Sequence, residues 1–128
     1  YPLVPDWGME VVDVRDVAAA HLAALEKPEA AGRRFIVSDG PLTMRQMGEI
    51  LGREFLAFKG KMPKGTLPRW ATRLLALVNP GVRQILPDLG PPKRTSNAAA
   101  REVLGIHCRP AEEALLAMTR ALIGFGLV

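Results

Sequence analysis

Between Met9 and Val14 the chain reads MEVVDV, an apolar, β-branched run that signals a strand. From Val17 the pattern changes to VAAAHLAALEK, a strong helix former that should end before Pro28. Asp16 stands at the junction, where its carboxylate could accept from the amides of the first turn, so it is read as the N-cap. A second apolar run, RFIVSD over 34–39, reads as another short strand, closed by the breaker DGP. Thr43 and Gln46 have the spacing of a capping box. The helix they open, MRQMGEILGREF, aligns Met44, Met47, Leu51 and Phe55 on one side. Gly48 and Gly52, four apart on that helix, permit close approach of another backbone.

The remainder alternates helices with breakers. The lead-in YPLVPDWG is expected to be irregular, because Pro2 and Pro5 bias their predecessors away from helix. The stretch 56–67 is also read as irregular. Pro68 suits the first turn of PRWATRLLALV, and GVRQIL reads as a short helical turn. PDLGPPKR is too proline-rich for regular structure. Ser96 caps NAAAREVL, with Gly105 in the C-cap position. Pro110 opens AEEALLAMTRALIGF, whose Glu112 and Glu113 sit where the helix dipole favours them. The order is strand, helix, strand, helix, then three or four helices, a helix-rich α/β pattern. Two strands alone do not make a stable sheet, so RFIVSD needs a neighbour that this chain does not supply.

Composition bounds the function. The 128 residues are one domain's worth, and 48% hydrophobic residues suffice for a core, although aromatics reach only 5%. The lone Cys108 excludes an internal disulfide and fits a cytoplasmic location. No apolar run approaches the ~20 residues of a membrane span. The chain opens on Tyr1 rather than Met, which suggests processing, a cloning boundary or missing upstream residues. The net charge of +4 is uneven. Residues 1–58 hold six Lys/Arg against nine Asp/Glu, 59–109 hold ten against two, and 110–128 hold one against two, giving −3, +8 and −1. A basic middle segment raises a polyanion partner, an anionic ligand or a solvated face.

Catalytic signatures are missing from the chain. It contains no GxGxxG, GxxGxxG or Walker loop, no Tyr-x-x-x-Lys pair and no GxSxG elbow. His107-Cys108 lacks the further ligands a metal site needs. His21 is read as a packed or capping residue, and Asp13 with Asp16 as strand-end and N-cap residues rather than an acid pair.

Three blocks nevertheless resemble one family. VVDVRDVAAAHLAAL, GRRFIVSDGPLTMRQMGEIL and RTSNAAAREVLGIHCRPAEEAL look like the C-terminal third of an extended short-chain dehydrogenase/reductase, in the NAD-dependent epimerase/dehydratase superfamily. The branch they resemble is that of the dihydroflavonol-reductase-like enzymes. The anchors are Val12, Val14, Asp16 to Ala18, Ala20 and His21, then AREVLG followed by RPAEEAL. The resemblance implies a Rossmann-type parent whose nucleotide-binding half, with its glycine turn and Tyr/Lys pair, is absent here. Residues 1–128 would be a single C-terminal substrate-binding portion, inactive alone. NAD or NADP would serve only the intact parent, which would act on a carbonyl or hydroxyl small molecule. RFIVSD would then be a strand added to the missing sheet.

Departures narrow this. Met9, Glu10 and Val11 occupy positions where sugar-nucleotide epimerases carry an Arg-Asp-aromatic stretch, Ser96 stands for their Asp, and Ile106 for their Trp. UDP-sugar chemistry is therefore disfavoured. Loops on a rigid scaffold usually hold specificity residues, which makes Trp7, Lys59, Lys61 and Lys64 the candidate substrate pocket. The alternative is a stand-alone basic module for a polyanion or protein partner. With only Phe58 and Trp70 near the lysines, stacking on nucleic acid is poorly served. Self-association through an exposed strand edge or apolar face is expected of the isolated chain.

Overall fold

A computed structural model describes residues 3–90 and 95–128. Tyr1, Pro2 and the PPKR end of the breaker cluster lie outside the described residues. The chain forms two compact units, Tyr1–Met9 with Leu42–Lys93, and Glu10–Pro41 with Arg94–Val128.

In the first unit, β1 (Leu3–Pro5) lies parallel to β4 (Gly65–Leu67), with Leu3 opposite Gly65 and Pro5 opposite Leu67. Both segments were expected to be irregular. Proline is tolerated on such short edge pairs because the ladder does not need every amide. Helix α2 (Met44–Glu54) begins with the expected capping box: the Thr43 hydroxyl accepts from the Gln46 amide at 3.2 Å, and the Gln46 side chain accepts from the Thr43 amide at 2.9 Å. A 3-10 turn, Leu56–Lys61, then folds back along α2. Helix α3 (Arg69–Val78) runs into the short α4 (Pro80–Gln84), whose first amides are capped by Asn79. Thr72 on α3 is fully buried, its hydroxyl donating to the Pro68 carbonyl at 3.2 Å. The Arg69 guanidinium donates to the Leu89 carbonyl at 3.0 Å, and the Gly90 amide to Asp6 at 2.8 Å, which ties the end of this unit to its lead-in.

The chain passes between units within β2 (Gly8–Val11) and β3 (Gly40–Thr43), which pair as a second two-stranded sheet. RFIVSD is extended but joins no ladder among the described residues. A strand needs a second backbone to take its amides and carbonyls in succession; here the Asp39 amide donates to the Val11 carbonyl at 3.2 Å and the Asn97 side chain to the Ser38 carbonyl at 2.7 Å, and among the described residues these isolated bonds do not extend into a ladder. In the second unit, α1 (Val14–Glu26) starts earlier than expected and its N-cap is Asp13, not Asp16. Asp13 Oδ1 accepts from the Arg15 amide at 2.9 Å. Asp16 is inside the first turn and buried, engaged with a distant partner described below.

Ala20, Ala30 and Leu104 form the core of the second unit, with Ala23, Ala24, Phe35, Val37, Val103 and Ile106 packed on it. Helical residues 98–104 end in a wide π turn, Ala100–Leu104, closed by Gly105 at φ 73°. Only glycine adopts that left-handed backbone without strain. Lys27 Nζ donates to the carbonyls of Val103 (3.1 Å) and Leu104 (2.9 Å), supplying partners that the helix end lacks. Helix α5 (Ala111–Gly124) carries Glu112 and Glu113 in its first turn, as its sequence predicts.

Large apolar residues are scarce inside. Among the described residues the buried hydrophobic side chains other than alanine are Ile50, Leu104 and Leu115, whereas Trp70, Leu74, Leu77 and Val78 line an exposed face of α3. Val14, Leu22 and Leu25 do the same on α1. Among the described residues no helix is long and apolar enough to cross a membrane.

Candidate functional site

The first unit holds an open groove of about 790 Å³ between α2 and the Leu56–Lys64 segment. It exists because α2 presents glycines where it faces the returning chain. A Cβ on Gly48 would lie 2.7 Å from Pro63 Cγ, so only a hydrogen allows Pro63 to seat there. At Gly52 a Cβ would sit 3.4 Å from Met62 Cγ, an ordinary contact. Leu56, Met62 and Pro63 give the groove apolar walls, and Glu49, Arg53, Lys59 and Lys64 also line it. Glu49 is occupied by Arg45 at 2.8 Å, one turn away on the helix. Among the described residues no carboxylate is bonded to Lys59 or Lys64.

The four residues read from the sequence as a pocket are distributed unequally. Lys59 and Lys64 line the groove. Lys61 turns away, its Nζ lying 5.5 Å from the Phe58 ring centroid in a cation–π contact. Trp7 is half-buried and does not line the groove; its amide donates to Pro5 and its carbonyl accepts from Met44, both at 2.9 Å. The apolar walls went unnoticed in the sequence. The signal for them was the Gly48/Gly52 pair followed by Met62-Pro63, since a helix face without side chains must be covered by something.

The second unit concentrates its charge in structural bonds. Asp16 accepts from the Arg109 backbone amide at 2.7 Å and from the Arg109 guanidinium. Arg15 donates to both Asp13 oxygens, at 2.8 and 2.6 Å, and reaches Glu113 at 3.3 Å. These bonds hold the Asp13 carboxyl well below the usual range and raise the Arg15 guanidinium above its own. Asp39 Oδ2 accepts from the Ala111 amide at 2.9 Å, capping α5 from 72 positions away. The Ser38 hydroxyl donates to Glu10, whose other oxygen takes the Thr95 amide at 3.0 Å. His21 Nδ1 bonds the Val17 carbonyl at 2.8 Å on its own helix. Burial, and then the Asp16 carboxylate, push the half-buried Cys108 thiol up. Among the described residues no three His, Cys, Asp or Glu are grouped to hold a metal ion.

No described segment forms the glycine-rich turn opening a helix that cradles a dinucleotide pyrophosphate. The positive-φ glycines, Gly32, Gly40, Gly90, Gly105 and Gly126, are isolated, and none opens a helix.

No family model matches the sequence. The chain is 33% identical over 112 residues to the uncharacterised oxidoreductase YDR541C of Saccharomyces cerevisiae, covering 88% of this chain and 28% of that protein. It is 44% identical over 62 residues to the NADPH-dependent methylglyoxal reductase GRE2 of the same yeast, covering 48% of this chain and 18% of that protein. Its structure superposes on the crystal structure of yeast methylglyoxal/isovaleraldehyde reductase Gre2 complexed with NADPH at a TM-score of 0.68 and 30% identity. That match covers 98% of this chain and 36% of Gre2. The chain thus spans about a third of the length of the proteins it matches. The sequence resemblance holds: the homologues of this chain are oxidoreductases of the extended short-chain dehydrogenase/reductase type, and it corresponds to a part of them.

Proposed function

We propose that the chain is the substrate-side portion of an NADPH-dependent reductase of a small carbonyl compound, whose nucleotide-binding half lies in sequence beyond these 128 residues. The match of 98% of the chain to part of an NADPH-bound aldehyde reductase carries this reading. The bare apolar faces of α3 and α1 agree with it, because surfaces of that kind are normally covered by protein. In this reading the chain shapes the substrate side through the groove that Lys59 and Lys64 line, with Trp7 and Lys61 outside it, and it contributes no group to the cofactor site. The isolated chain is inactive and associates through its apolar faces.

Two preparations test the proposal: the chain alone, and a chimera in which it replaces the matching part of yeast Gre2. NADPH consumption with methylglyoxal and with isovaleraldehyde is expected from the chimera only, and sedimentation should show the isolated chain self-associated. Turnover by the chain alone overturns the reading. So does a folded chimera that binds NADPH and reduces neither aldehyde.

A further inference from the structure

We infer that the groove between α2 and the Leu56–Lys64 segment binds a ligand with an apolar body and one anionic head, a carboxylate or a phosphate. The inference rests on the proposed reading only in assigning the groove to a substrate side; the groove itself belongs wholly to this chain.

Two features select the ligand. The walls made by Leu56, Met62 and Pro63 offer apolar surface, which favours a hydrocarbon over a hydrated solute. Lys59 and Lys64 stand on the same groove with no acid bonded to them among the described residues, while the carboxylate of Glu49 is taken up by Arg45 at 2.8 Å. An anionic head would complete the pair that the lysines lack, and its body would displace water from the walls. A neutral ligand would gain only the second effect. A polyanion such as a nucleic-acid strand would bring more charge than two ammoniums balance and would leave the walls wet. At about 790 Å³ the groove is within the usual range for small-molecule sites, roughly 300–1,000 Å³, and too small for a folded partner.

Decanoate, decyl phosphate and decanol share one apolar body and differ in the head, so titrating each into the 128-residue chain isolates the charge contribution. Amide NMR shifts report the location. Either anion should shift the Gly48, Gly52 and Gly60 amides and bind about five-fold more tightly than decanol, the factor that two surface charge contacts supply. Whichever anion binds more tightly identifies the head. The preference should shrink with added salt. In the Lys59→Gln/Lys64→Gln variant it should vanish while decanol binding is unchanged. Equal binding of all three ligands, or shifts confined to residues outside the groove, would overturn the inference. The head-group comparison on the unsubstituted chain decides the matter even if the variant fails to fold. A chimera inactive with NADPH would remove the reductase reading and leave the groove intact; absence of anion binding would do the reverse.

Discussion

The two glycines of α2 should respond in opposite directions to the same substitution. Replacing glycine by alanine inside a helix gains up to about 1 kcal/mol, because the unfolded chain loses freedom and the helix loses none. At Gly52 the added methyl meets Met62 Cγ at 3.4 Å, ordinary contact with a flexible side chain, so the gain survives and Gly52→Ala is neutral to slightly stabilising. At Gly48 the methyl would lie 2.7 and 2.8 Å from Cγ and Cδ of Pro63, a ring that cannot rotate away. Overpacking of that kind costs roughly 1–3 kcal/mol and exceeds the propensity gain, so Gly48→Ala destabilises by about 1 kcal/mol net. Trp7 and Trp70, the two tryptophans, are both in the first unit with α2, so tryptophan fluorescence in urea follows the unfolding of the unit that matters. With a urea slope of about 1–3 kcal/mol/M, the two variants should separate by roughly 1 M in midpoint. If Gly48→Ala unfolds at the same urea concentration as Gly52→Ala, the close seat of Pro63 on α2, and with it the account of how the groove forms, is wrong.

Two further outcomes concern the second unit. Because its bonds with Arg15 lower the folded-state pKa of Asp13, that residue's stabilisation is complete above the ordinary carboxylate range and fades as pH falls through about 4 and below. Circular dichroism of thermal unfolding should therefore show wild type more stable than Asp13→Asn at pH 7, with the gap closing towards pH 2; a constant gap would mean that the carboxylate's charge is not what caps α1. Burial raises the Cys108 thiol, which should remain protonated and react with iodoacetamide at pH 8 more slowly than free cysteine. Alkylation as fast as the free amino acid would contradict that environment.

What the sequence by itself determined is local, because the relevant bonds close within one turn of chain. Thr43 and Gln46 are three apart and complete a capping box with no help from elsewhere. Gly105 stops its helix because no other residue tolerates φ 73° as readily, and Glu112 with Glu113 sit at the dipole end of α5 whatever packs around them. The basic loop was legible in the same way, and the family resemblance came from three blocks whose order survives in one dimension. The tertiary structure alone decided everything whose partner is distant. β1 and β4 are proline- and glycine-bearing segments that look irregular until Leu3 meets Gly65, and RFIVSD has strand composition but no ladder among the described residues, because the backbone that reaches it, Val11, takes only the Asp39 amide at its end. Asp16 has the right residue type for a cap, yet Arg109, 93 positions away, takes its carboxylate, and Asp13 caps α1 instead. The groove follows the same logic. Its lysines could be read directly, but its walls depend on Pro63 folding onto Gly48, and Trp7, equally suggestive in the sequence, is not part of it. A sequence specifies each residue's capacity to bond, and which capacity is used depends on what the fold brings within a few ångströms.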